Sequence, residues 1–95
     1  MIRILNRRTL KEIPPGAYIV HRPTPLGNPY EIGPDGSRDE VCEKYEYEFL
    51  WKIEHDVKFR NEVLSLKGAT ALVCFCAPLR CHAETIARYL ERMEV

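Results

Sequence analysis

Residues 69–85 read Ala69-Thr70-Ala71-Leu72-Val73-Cys74-Phe75-Cys76-Ala77-Pro78-Leu79-Arg80-Cys81-His82-Ala83-Glu84-Thr85, a buried strand followed by the start of a helix. Ala69 to Cys76 is almost purely apolar, the pattern of a strand covered on both faces. Ala83 to Met93 carries Ile86, Leu90 and Met93 on one stripe, the pattern of a helix. A buried strand that runs straight into a helix puts the connecting loop at the carboxyl edge of a sheet. Ligands of open α/β sheets commonly bind at that edge. The first turn of the helix adds unpaired amides and a partial positive charge, and Cys81 and His82 are expected there.

Upstream, Ile2 to Asn6 alternates and is β-branched, so it reads as a strand that ends at Asn6-Arg7-Arg8. Pro14-Pro15-Gly16 is a turn signal, and Ala17 to His21 reads as a second strand. The link between these strands is at the short limit for a parallel crossover and equally fits a hairpin. A hairpin would put Asn6 and His21 at opposite ends of the sheet. Ser37-Arg38-Asp39-Glu40 matches a capping box. The helix that follows carries Val41, Tyr45, Phe49 and Ile53 at four-residue spacing and is expected to break near an exposed His55. Val57, Val63, Leu64 and Leu66 continue the apolar face, and Gly68 suits a left-handed cap. Tyr45, Tyr47 and Trp51 read as core or helix-contact residues rather than a stacking platform. The order β-β-α-α-β-α predicts a small Rossmann-like α/β three-layer sandwich on a three- or four-stranded, mostly parallel sheet.

The chain has 95 residues, 45% hydrophobic and 29% charged with no net charge, which fits one globular domain over residues 1–95 and argues against disorder. No apolar run approaches the roughly 18–20 residues of a membrane span, and the start lacks a signal-peptide core of about 7–15 apolar residues. A cytoplasmic protein without membrane partners is expected. Charge is uneven: residues 1–30 hold Arg3, Arg7, Arg8, Lys11 and Arg22 against Glu12 alone, while residues 31–66 hold ten acids against five bases. Most of those acids read as the wet face of a helix. Without whole-domain basicity, nonspecific duplex DNA binding is not expected, and a local phosphate contact stays open.

The cysteines admit three readings. Cys74 and Cys76 share one strand face and could simply pack in a core. Cys74, Cys76, Cys81 and His82 are the right ligand types for zinc, although a zinc knuckle uses C-x₂₋₄-C spacing. Third, a thiol beside a histidine at a helix start can have a lowered pKa, which would make Cys76 or Cys81 reactive. Disulfides as a framework are not expected in such a chain. Cys74 and Arg80 also have the C-x₅-R spacing of a cysteine phosphatase loop. The intervening Phe-Cys-Ala-Pro-Leu lacks glycine, however, and loses an amide at Pro78.

The other informative stretch is His21-Arg22-Pro23-Thr24-Pro25-Leu26-Gly27-Asn28-Pro29-Tyr30. Its prolines stiffen the loop and push Asn28 toward an extended conformation. Gly27 permits a tight turn or the close approach of a ligand. Arg22 can fork onto a phosphate, and Asn28 can donate and accept at once, as the edge of a base demands. The bland reading is a proline-stiffened connection in which Asn28 satisfies its own turn.

Arg3 to Arg8, Arg22 to Tyr30, and Cys74 to His82, in that order, resemble a small family of phage and bacterial proteins catalogued as domain of unknown function 4326. The resemblance covers nearly the whole chain. It implies a compact Rossmann-like α/β domain of about this length and carries no activity with it. Members often have proline where this chain has Arg80, which weakens the phosphatase reading further.

The expectation is that Asn6, Arg7, Arg22, Gly27, Asn28, Cys76, Cys81 and His82 converge at one end of the sheet. Arg7 and Arg22 would hold an anion and Asn28 would read a polar edge. Cys76, Cys81 and His82 would be the catalytic group, acting by covalent catalysis or group transfer if the protein is an enzyme. The favoured partner is a nucleotide or nucleoside-like small molecule, with no cofactor unless zinc is bound. The alternatives are a noncatalytic protein that sequesters a nucleotide signal or binds a host protein, and a zinc-stabilised structural module. A homodimer would bury the aromatic helix face.

Overall fold

The computed structural model describes residues 1–93. Its elements are strand β1 (Arg3–Asn6), a 3-10 turn (Arg7–Thr9), strand β2 (Ala17–Ile19), helix α1 (Arg38–His55), helix α2 (Val57–Leu64), strand β3 (Ala71–Cys74) and helix α3 (Ala83–Met93). The strands form one sheet in the order β1-β3-β2. Both pairings are parallel, with Asn6 opposite Cys74 and Ile19 opposite Val73. The hairpin alternative is therefore excluded, and residues 7–16 are a short crossover between the two edge strands. Gly16 sets the entry to β2: its φ of +81° and its packing on Thr70, where a Cβ would lie 2.7 Å from Oγ1, leave no room for a side chain.

The most apolar strand takes the centre, as its composition requires. Ala71, Leu72, Val73 and Cys74 are all buried. Leu72 and Cys74 join one core with Tyr45 and Phe49 of α1, Phe59 and Val63 of α2, and Ile86 and Leu90 of α3. Ala71 and Val73 point to the opposite face of the sheet. β3 ends at Cys74 rather than Cys76, because neither neighbour pairs beyond that row, and Phe75 is consequently exposed.

The capping box forms: Ser37 Oγ accepts from the Glu40 amide at 3.2 Å, and Glu40 Oε1 accepts from the Ser37 amide at 2.9 Å. The helical stretch breaks where expected. Asp56 closes α1 and caps α2 by accepting from the Phe59 amide at 3.1 Å. Some apolar residues lie off the core. Val57 at the start of α2, Met93 at the end of α3, and Tyr47 and Trp51 on α1 are exposed, and Trp51 stacks on His55 at 4.6 Å. Among the described residues no helix is long and apolar enough to cross a membrane.

Candidate functional site

Parallel pairing brings the ends of all three strands to one edge, so Asn6, the residues after Ile19, and Cys74 are neighbours. A cavity of about 490 Å³ lies beside that edge. Of the residues expected at the site, Arg22, Asn28, Cys76, Cys81 and His82 line it, together with Cys74; Asn6, Arg7 and Gly27 do not.

The three that miss it have local reasons. Asn6 braces the loop after β3, donating from Nδ2 to the carbonyls of Phe75 (3.3 Å) and Ala77 (2.8 Å) while Oδ1 accepts from the Arg8 amide. Arg7 opens the 3-10 turn that reverses the chain, and its guanidinium donates to the Leu10 carbonyl at 3.4 Å. Gly27 closes a turn by donating to the Thr24 carbonyl at 3.0 Å. A Cβ there would come within 2.8 Å of the Arg22 backbone nitrogen. The close approach it permits is to its own loop.

Asn28 is at the cavity, but its carboxamide is engaged. Oδ1 accepts from the Tyr30 amide at 2.9 Å and Nδ2 donates to the Val41 carbonyl at 3.2 Å, which ties the loop to α1. A free polar edge is found instead on His21. Its Nδ1 lies 2.6 Å from the Arg22 carbonyl and must donate to it. In the neutral ring Nε2 is then a bare acceptor, and it is buried with no partner among the described residues. The ring is held in place by Phe75, with centroids 4.2 Å apart.

Three guanidinium groups line the cavity. Arg22 pairs loosely with Glu31 at 3.5 Å, and Arg80 pairs with the exposed Asp39 at 3.1 Å. Arg38 donates to the Arg80 carbonyl at 3.2 Å, and among the described residues it pairs with no carboxylate. Because Arg80 turns to Asp39 and the sulfur of Cys74 is covered, the C-x₅-R spacing does not build a phosphatase loop.

All four cysteines of the chain line this cavity. The thiol of Cys81 donates to Cys74 Sγ across 3.1 Å, and both residues are buried. The Cys81 bond, helped by the neighbouring amides of Cys76 and Ala77, holds the Cys74 thiol well below the ordinary range. The Cys81 thiol moves the other way, because losing its proton would place a second anion beside Cys74 in a buried site. The lowered pKa expected at Cys81 thus belongs to Cys74, chiefly because Cys74 accepts the hydrogen bond of the Cys81 thiol and secondarily because the amides of the turn after β3 lie beside it.

His82 is not a free base. It is buried, its Nε2 lies 2.7 Å from the Val20 carbonyl, and its ring meets Tyr45 edge-on at 5.0 Å. Burial lowers its pKa, so the ring is neutral and Nε2 carries the proton that bonds Val20. With Nε2 committed to Val20, Nδ1 is the ring nitrogen left to accept a proton or a ligand bond. Among the described residues no three His, Cys, Asp or Glu side chains are grouped so as to hold a metal ion.

Sequence reasoning missed His21, Arg38 and Cys42 as cavity residues. A signal existed for His21, which follows the second strand as Phe75 follows the third. Arg38 and Cys42 sit on the first turns of α1, beside the stripe of Val41 and Tyr45 that gives the helix its core face, and nothing local says that this end of the helix reaches the sheet edge.

Among curated proteins and among solved structures nothing matches the chain. The family described as domain of unknown function (DUF4326) matches residues 4–92, and with nearly its whole length inside that match the chain belongs to this family.

Proposed function

We propose that the protein binds a small nucleotide-like anion in the cavity at the carboxyl edge of the sheet. The observation that carries this reading is Arg38, a guanidinium lining the cavity with no carboxylate partner among the described residues. Beside it, Arg80 pairs with the exposed Asp39, and Arg22 pairs at 3.5 Å with Glu31, which also lines the cavity. A guanidinium fork matches phosphate geometry, and a bare His21 Nε2 suits an N–H or O–H of a base or sugar. The cavity of about 490 Å³ falls in the range of about 300–1,000 Å³ typical of small-molecule sites.

Calorimetry and thermal melts with nucleoside 5′-monophosphates, the parent nucleosides and inorganic phosphate test this. At about ten times Kd a monophosphate should stabilise the fold by about 1.4 kcal/mol, or roughly 6–11 °C in melting temperature. Arg38→Met should weaken that binding about tenfold or more, the scale of a lost charge-assisted hydrogen bond. The absence of any shift across the nucleotides, or equal affinity in Arg38→Met, would overturn the reading. Recovery of unchanged nucleotide from a binding-competent sample would mark a sequestering protein rather than an enzyme.

A further inference from the structure

We propose that Cys74 and Cys81 form an oxidisable dithiol at the cavity wall, which takes a small hydroperoxide as oxidant and closes to an intramolecular disulfide. This does not rest on the nucleotide reading. It rests on the placement of two sulfurs from different elements, the last residue of β3 and the approach to α3, at 3.1 Å from each other. A disulfide bond is about 2.05 Å long, so closure needs a movement of about 1 Å.

The surroundings are arranged for the first step. The Cys81 thiol donates to the Cys74 sulfur, and the Cys76 and Ala77 amides of the turn lie close enough to lower its pKa further. That set of donors stabilises a thiolate, which is the nucleophilic form of cysteine. Cys81 has its own donor in the Ala83 amide at the start of α3. Cys74 and Cys81 are only 0% and 3% exposed yet line the cavity, which favours an oxidant close to water in size over bulky reagents.

The chemistry balances as follows. The Cys74 thiolate attacks one peroxide oxygen, the O–O bond breaks, and a sulfenic acid forms. The departing hydroxide takes a proton from solvent and leaves as water. The Cys81 sulfur then attacks the Cys74 sulfur, the S–O bond breaks, and the hydroxyl leaves as a second water with the proton of Cys81. Two thiols have lost two electrons, and one hydroperoxide (hydrogen peroxide in the test) has gained them.

The reduced full-length chain, without nucleotide, is treated with hydrogen peroxide, denatured, alkylated with iodoacetamide and mapped by tryptic mass spectrometry. Cleavage after Arg80 separates the two cysteines, so their disulfide appears as a linked peptide pair. The expected result is loss of two of the four alkylatable thiols, with Cys74 joined to Cys81, and full recovery with dithiothreitol. In Cys81→Ser the cross-link should vanish, and dimedone added together with the denaturant should trap a sulfenic acid on Cys74. The paired Cys42→Ser/Cys76→Ser substitution should keep the cross-link. A disulfide through Cys42 or Cys76, oxidation confined to Cys76, or four thiols still alkylatable would overturn the proposal. Cys74 and Cys76 share the tryptic peptide 68–80, so fragment-ion spectra that place the alkylated cysteine of the linked pair at position 76 decide the pairing in the wild-type protein, whatever the stability of the variants.

Discussion

His82 shows how one buried ring couples the site to stability. Its pKa is lowered because a charged imidazole would be desolvated between Tyr45 and the Val20 carbonyl. An unfolded chain takes up that proton near the ordinary imidazole value of about 6.5, while the folded chain refuses it. The stabilisation is complete above that value and declines as pH falls toward the lower folded pKa. The slope is at most about 1.4 kcal/mol per pH unit. Urea midpoints measured between about pH 8 and about pH 5 should fall on this account, and His82→Ala should flatten the fall while lowering the plateau. At this scale the sequence was legible in residue type and opaque in partnership. The thiols, the histidine and Asn28 were visible as chemistry, but which sulfur accepts and which donates depends on where three amides point, and spacing does not encode that.

Among the elements, the junction of α1 and α2 concentrates the local interactions. Asp56 accepts from the Phe59 amide, and Arg60 reaches back to the Ile53 carbonyl at 2.7 Å and the Glu54 carbonyl at 3.1 Å, satisfying the frayed end of α1. Asp56→Ala should cost about 1 kcal/mol, the usual value of an N-cap, read as a lower denaturation midpoint with little change in slope. The break at His55 and the cap at Ser37 were legible because both follow from short-range chemistry. The facing of α1 was legible only in part. Each four-residue step overshoots a full turn by about 40°, so the stripe from Val41 through Tyr45 and Phe49 drifts until Ile53 is only half-buried. The same geometry puts Tyr47 and Trp51 on the far side of the helix from Tyr45.

Taken whole, the molecule is organised by a central strand that comes late in the chain. An apolar run such as Ala71 to Cys74 identifies itself as a strand covered on both faces, so the class of fold and its richest edge were legible from residues 69–85. The order of the strands was not, because a short link between β1 and β2 is compatible with two arrangements that differ only in what lies between them. The answer lies between them: β3 separates the two strands, and this alone brings Asn6, His21 and Cys74 to a common edge.

The same order governs how the protein can be made. Synthesis proceeds from the N-terminus, so β1 and β2 leave the ribosome ahead of β3, the strand that both pair with, which is translated some fifty residues after β2 ends. A nascent chain short of β3 can form helical turns but no β-ladder, and its apolar segments are open to chaperones or to other chains until the C-terminal quarter emerges. A fragment ending at residue 68 should therefore show helix without sheet in far-ultraviolet circular dichroism and should be cut rapidly by protease. Adding a peptide spanning 69–93 in trans should restore protection; a sheet signal in the fragment alone would contradict this assembly order.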